Sequence, residues 1–444
     1  MCPIDQHNHL VVSDLHLAGE PGLQVGLRSV DRAFIQFLDW HAAHWREERP
    51  WRLIIAGDGI DFLHRSLHGA EGAEPHQEHT EARAIETLEA IVAENRPVFE
   101  ALARFVAAGH ELVFLQGNHD AELHWAGVQD RLRALLLELF AGLFDGTVDM
   151  AILEEFQARV SIHRWFYYRR DLLYVEHGNQ YDELCAFENV LCPVDEDARI
   201  AAPVSHVTLR RFRDLLHRLD AHNVDRWGLG DFLRWVVRLE PRAILRSAVT
   251  YLSSPTWLLH LDGRRRRAVP AARQVHHSRL RDLLEHFPLE EEVLHLLERL
   301  KRTSRGNLWL GLRMLFYDQV ALGGLLAAAV ALLCLTPGPA LARVAVGLGA
   351  ALGAMHLSRR GLRSRQVDPQ PKLVVSAQAV AGLLRVPFVV FGHSHTPEVR
   401  ALPEAATYVN TGSWTHEGEA GLTYFQLTAA PGGSQGTLRR WAGA

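Results

Sequence analysis

Five short motifs in this chain carry side chains that can bind metals. The first, Asp14-Leu15-His16, ends an apolar run. An aspartate and a histidine on alternate residues of an extended segment can converge on one ion, offering a carboxylate oxygen and an imidazole nitrogen. In the second, GDGID, Asp58 follows the run LIIAG. Its two carboxylate oxygens can bridge two ions, and Gly57 and Gly59 allow the sharp turn and close approach that expose it. Gly117-Asn118-His119-Asp120 offers a neutral amide oxygen from Asn118 and an acid in His119. Glu176-His177-Gly178 adds one imidazole, and Gly392-His393-Ser394-His395 adds two more on alternate residues. Any one motif arises readily by chance. Five in this order, each after a β-rich apolar run, read together as the ligand set of a two-metal site.

Several neighbours have two readings. Asp61 and Asp120 suit the role of orienting ligand histidines, although Asp61 equally suits a helix N-cap. Asn179 and Asp182 contact substrate or support the ligands, or else form an ordinary turn. His7 and His9 are expected before the first strand and read as non-catalytic.

The elements that must position these residues alternate between strand and helix. HLVVSDLHL, WRLIIAGDGIDF and ELVFLQGNHD each carry a buried-strand pattern ending in polar residues. Asp31–Glu48 and Glu81–Ala108 have helical spacing, the latter with a break expected at Pro97. Asp171–Glu176 and Val386–Phe391 read as further strands, and Thr407–Asn410 and Gly421–Leu427 as closing ones. The pattern implies an α/β fold with ligands at the carboxyl ends of strands.

Composition narrows the class. A length of 444 residues, 48% hydrophobic and 22% charged, describes a folded catalytic domain with an accessory region. Cys2, Cys185, Cys192 and Cys334 form no CxxC pair, which fits a reducing cytoplasm and disfavours thiolate metal sites. No cationic or long apolar stretch precedes Asp14, so no secretory signal is expected. A net charge of -5 argues against a nucleic-acid partner. Arg199–Arg281, however, holds 17 arginines against 6 acidic residues. Such a segment reads as a contact for an anionic membrane or a phosphate-bearing substrate, or as a set of solvated helix faces.

The five motifs, together with Asn410-Thr-Gly-Ser-Trp414, resemble the calcineurin-like metallophosphoesterase superfamily over Leu10–Asp182 and Val386–Leu427. The resemblance implies a four-layer α/β/β/α sandwich with a dimetal site at the loop ends. By motif, Asp14, His16 and His395 would bind the first metal. Asn118, His177 and His393 would bind the second, with Asp58 bridging. His119 would steady the transition state and protonate the leaving oxygen. The two ions would activate a bridging water for in-line attack on phosphorus. Mixed Asp, Asn and His ligands without sulfur suit manganese, iron or zinc better than copper or calcium and do not choose among the three; manganese is the expected ion, with iron or zinc as alternatives. A helical insertion between His177 and the last motif is similar to the UDP-2,3-diacylglucosamine pyrophosphatase branch. That branch typically has arginine where this chain has His119, and its insertion is shorter.

The expected organisation is a catalytic core over 1–182 and 386–444, a basic cap-like helical insertion over 183–318, an apolar hairpin over 319–357 and a return linker over 358–385. Ser278–Arg302 is amphipathic, broken at Pro288. Val320–Leu335 and Ala340–Leu357 flank a TPGP turn, the second interrupted only by Arg343. Each arm approaches the ~20 residues of a spanning helix. Gly349 and Gly353 would permit close packing in lipid. Arginines flanking both outer ends place those ends on the cytoplasmic side; a buried helical pair or an oligomer interface is the competing reading. Together these features point to an amphiphilic or lipid-linked phosphate substrate hydrolysed at the membrane. A soluble phosphodiesterase or nucleotide phosphatase, a protein phosphatase and a non-catalytic metal-binding scaffold are the alternatives.

Overall fold

The structure, a computed structural model, describes residues 7–18, 27–68, 80–144, 148–211, 241–302, 311–313, 315, 317–335, 337–363, 368–418, 420–430 and 433–443. The chain is mixed α/β and forms two compact units. The first comprises Met1–His206, Arg264–Ser304 and Gln370–Ala444; the second comprises Val207–Gly263 and Arg305–Pro369.

Two mixed sheets build the first unit. In one, β1 (Asn8–Val12), β2 (Trp51–Ala56), β3 (Glu111–Leu115) and β4 (Val160–His163) run parallel. In the other, β5 (Phe166–Arg169) pairs antiparallel with β6 (Leu173–Glu176), and β6 runs parallel to β7 (Phe388–Phe391). Beyond β7, the sheet continues through β8 (Glu398–Ala401) and β9 (Thr407–Asn410) in the order β5-β6-β7-β9-β8. The first sheet is completed by β10 (Thr423–Ala430), antiparallel to β1, and β11 (Gly433–Arg440), antiparallel to β10. Val11, Ile54, Val113 and Leu115 from one sheet share a hydrophobic cluster with Phe166, Val175, Val389 and Phe391 from the other. Strands buried on both faces explain why β1 to β3 read as continuous apolar runs.

Helices α1 (Ser29–Ala43), α2 (Phe62–His68), α3 (Glu81–Glu94), α4 (Arg96–Ala107), α5 (Ala126–Ala141) and α6 (Met150–Ala158) connect the strands of the first sheet. The break expected at Pro97 falls at Asn95, and Pro97 lies in the first turn of α4, where a missing N–H is harmless. Next come α7 (Val204–Arg211), the long α8 (Pro241–His286) and α9 (Glu291–Leu300), the last two separated at Pro288 as its sequence requires. The second unit contains α10 (Tyr317–Leu335) and α11 (Ala340–Arg363). Both are long and apolar enough to cross a membrane, and their most apolar windows are 0% buried. Ser358 donates to Gln319 Oε1 at 2.6 Å near the open end of this hairpin.

The domain expectations need two changes. The segment 358–385 is not merely a linker, because it contains α12 (Gln370–Leu384), which buries Leu373, Ala377, Val380 and Ala381 in the first unit's core. The inserted residues likewise do not stay together: Arg264–Ser304 folds with the first unit, contributing Leu280, Phe287, Leu294 and Leu297 to the same cluster.

Candidate metal centre

Every candidate ligand lies just beyond the carboxyl end of a parallel strand. Asp14 and His16 follow β1, Asp58 follows β2, Asn118 and His119 follow β3, His177 follows β6, and His393 and His395 follow β7. The loops are tied to one another by backbone hydrogen bonds. Asp14 N donates to Gly57 O at 3.1 Å, His16 N to Asp58 O at 2.9 Å and Gly392 N to His177 O at 2.9 Å.

These ties hold an unusual backbone. Asp14, His16, Asp58, His393 and His395 have φ of +55°, +47°, +51°, +68° and +55°. A non-glycine residue in that region costs about 1–3 kcal/mol, and such strain collects at functional sites. Glycine permits the closest approaches. A Cβ on Gly57 (φ +81°) would lie 2.5 Å from the His177 ring, and one on Gly117 would collide with Asp58 Oδ1.

The side chains meet through imidazole nitrogens and side-chain oxygens. His177 Nδ1 lies 2.9 Å from the Ala56 carbonyl, so it carries the proton. Its Nε2 faces Asp58 Oδ2 at 3.1 Å and Asn118 Oδ1 at 3.2 Å. His16 repeats the pattern, with Nδ1 2.7 Å from Asp61 Oδ2 and Nε2 3.3 Å from His395 Nε2. His395 Nε2 also lies 3.0 Å from Asp14 Oδ1, a buried oxygen that receives no hydrogen bond. A proton can relieve one such contact at a time; a cation among them relieves several.

The electrostatics express the same crowding. Burial favours the neutral acid at Asp58, yet His177, His119 and His16 around it hold its pKa well below the usual carboxylate range. Burial also opposes charge on His177, but Asp58 and Asp14 push it up to about 9. At His16 burial prevails and lowers the pKa despite Asp61. Among the described residues, Asp14, His16 and His395 form one group that could hold a metal ion, and Asp14, Asp58 and His177 form another.

The supporting residues resolve both open readings of Asp61. Its Oδ2 takes His16 Nδ1, its Oδ1 lies 3.0 Å from His119 Nδ1, and His64 N donates to Oδ1 at 2.6 Å as at a helix cap. Asp120 does not orient a histidine; its carboxylate takes the backbone N–H groups of Gly59 and Gly117 at 2.9 and 2.5 Å, fixing the loop itself. His393 stands slightly apart. Its ring is 5.3 Å from that of His177, and Nε2 is 3.2 Å from Asp182 Oδ2, leaving Nδ1 as the nitrogen for an ion. Asn179 Nδ2 bonds Cys185 O instead of entering the centre. His7 pairs with Glu111, and His9, which lies within β1 and not before it, packs on Tyr167.

One residue at the centre carries no sequence signal. His206, a lone histidine in α7, is buried with Nε2 3.3 Å from Asn118 Nδ2 and its ring edge-on to His119 at 5.2 Å. No protein-family model matches the chain, and no curated protein matches it.

Proposed function

We propose that the chain hydrolyses phosphoesters or pyrophosphates with two divalent metal ions, in the manner of the calcineurin-like metallophosphoesterases whose motif order it resembles. The four-layer α/β/β/α sandwich belongs to the same proposal. The observation that carries it is the convergence of Asp58, Asn118 and His177 on one point, with His177 Nε2 3.1 Å from Asp58 Oδ2 and 3.2 Å from Asn118 Oδ1. Asp14, His16 and His395 would hold one ion and Asn118, His177 and His393 the other, with Asp58 shared. This oxygen and imidazole set suits manganese, iron or zinc alike, and manganese is the ion taken for the test. Bound there, the ions would supply Lewis acidity toward phosphoryl oxygens and ionise a water near neutral pH.

The chain's own groups supply orientation and a proton. Asp61 Oδ1 lies 3.0 Å from Nδ1 of His119, and Nε2 would be the nitrogen to deliver a proton to the leaving oxygen. The His119 side chain is 20% exposed, enough for a substrate to reach it.

The hairpin favours an amphiphilic or lipid-linked phosphate over a freely soluble nucleotide. At 1.5 Å per residue the 19 residues of α10 extend roughly 28 Å, close to the ~30 Å hydrocarbon core of a bilayer. Leu335 and Leu341, at 82% and 83% exposure, lie where water would otherwise meet them at the tip. The enzyme would sit on the cytoplasmic face of the cell membrane.

The test is release of an aryl alcohol from a generic phosphodiester with manganese, with bound metal measured in parallel. Wild type should take up two ions and turn over, and Asp58→Asn should lose both properties. A wild-type protein that binds metal without hydrolysing any phosphoester would be a scaffold. An Asp58→Asn protein keeping both ions and full turnover would remove the shared-ligand assignment.

A further inference from the structure

The two proposed ion sites are supported from different parts of the chain. The first draws its support from the core: His16 leans on Asp61, and Asp14 Oδ2 takes the Ser13 hydroxyl and the His393 backbone N–H. Two ligands of the second lean on the segment that opens the insertion. Asp182 holds His393, and His206 meets Asn118.

The Asn118 contact has one consistent arrangement. Nδ2 is a donor only, so His206 Nε2 must accept, and the His206 proton belongs on Nδ1. That bond keeps the amide from rotating and leaves Oδ1 aimed at His177 Nε2, 3.2 Å away, where the second ion would lie. His206 is itself held firmly. Ser205 N donates to Leu184 O at 3.1 Å, Ser205 Oγ lies 3.3 Å from Cys185 Sγ, and Val204 and Val207 are buried on either side. Leu184 N in turn bonds Asp182 Oδ1 at 3.1 Å, so the supports of His393 and Asn118 belong to one hydrogen-bonded segment.

We propose that His206 is a positioning residue for the second metal ion, fixing the amide of Asn118, and that with Asp182 it makes this ion, and not the first, dependent on the segment that leads into the insertion. The inference rests on the dimetal reading above. Partners that orient metal ligands commonly contribute 10–100-fold to affinity. Replacing His206 should therefore weaken the second equivalent of manganese by about that factor and leave the first unchanged.

The experiment is a manganese titration of the full chain, with metal content by elemental analysis and the exchange-coupled dimanganese signal by electron paramagnetic resonance. His206→Ala should bind the first equivalent normally, weaken the second by about 10–100-fold and lose the coupled signal at limiting metal. His206→Gln, which retains an acceptor, should recover most of the affinity, whereas His206→Lys, a donor only, should not. Thermal unfolding of each variant without metal separates misfolding from ligand disorder. Equal weakening of both equivalents, an unchanged titration, or Gln as damaging as Ala would each overturn the proposal. A wild type that binds two manganese ions but hydrolyses nothing would remove the enzymatic reading and leave this one standing on the titration. A wild type that binds none would remove both.

Discussion

Asp61→Asn is the sharpest probe of the centre because it keeps the shape and changes only where protons can sit. Asp61 is fully buried and serves two donors, His16 Nδ1 at 2.7 Å and His64 N at 2.6 Å, with His119 Nδ1 3.0 Å from its Oδ1. An asparagine has one oxygen. If that oxygen keeps the His64 N–H, the NH2 group confronts His16, which must then accept through Nδ1 and carry its proton on Nε2. That proton would point at His395 and occupy the lone pair that the proposed first ion would need. If the amide turns round, His64 N is left without an acceptor, at about 1–3 kcal/mol. Either way a charge-assisted bond of about 1.5–3 kcal/mol is lost or weakened. By the tenfold per 1.4 kcal/mol rule this amounts to roughly 10–100-fold in affinity for the first ion.

Alanine at the same position removes the bond but imposes no tautomer, so the ordering is diagnostic. Asp61→Asn should bind the first manganese more weakly than Asp61→Ala, despite being the closer mimic. Equilibrium dialysis at fixed pH, normalised to folded protein, measures both. Wild-type affinity in Asp61→Asn, or a greater loss in Asp61→Ala, would show that His16 does not ligate through Nε2.

Three further outcomes follow from other parts of the molecule. His119→Ala should slow hydrolysis of an alkyl phosphodiester far more than that of a nitrophenyl ester, because a good leaving group departs without a proton; equal losses in parallel kinetics would count against the acid. Lys301 is buried over the Trp165 ring, and burial outweighs the attraction of Glu298 and Glu176 to lower its pKa to about 8 from 10.5. The folded chain thus releases this proton before the unfolded chain does, so its stability should rise between pH 8 and 10.5, and Lys301→Met should be more stable at pH 7 by about 1–3 kcal/mol and lack that rise in thermal unfolding. Replacing 320–357 with a short Gly/Ser linker should convert a protein that resists high-salt extraction from membranes into a soluble or salt-released one that keeps its metals; a full-length protein soluble without detergent would refute the membrane reading.

What was legible beforehand depended on whether a signal was local. The parallel strands β1, β2 and β3 announce themselves because each is an apolar run that stops at a ligand. β4 and β5 are only four residues each and sit on either side of Arg164-Trp165, too short to show a period. β11, GSQGTLRR, has almost no apolar content, and its eight residues are matched across to β10 by backbone pairing. α12 reads as a connection because alanines, serine and valines share its buried face, so its contrast with the exposed face is weak.

The same distinction separates the proposed ligands from their supports. Asp14 and His16, or His393 and His395, stand on alternate residues because a strand end turning sharply into its loop must deliver both to one place. The left-handed backbone at all four concentrates that turn into very few residues. Their supports have no such constraint. Asp182 reaches His393 across 211 positions, and His206 reaches Asn118 across 88. Any element passing the site could have supplied those atoms, so neither residue needs a motif. In this chain the passing element is the segment that opens the insertion, whose length and charge otherwise suggest only a cap or an anchor. If the proposed second ion binds there, substitutions in that segment should disturb it before they disturb the fold of the core.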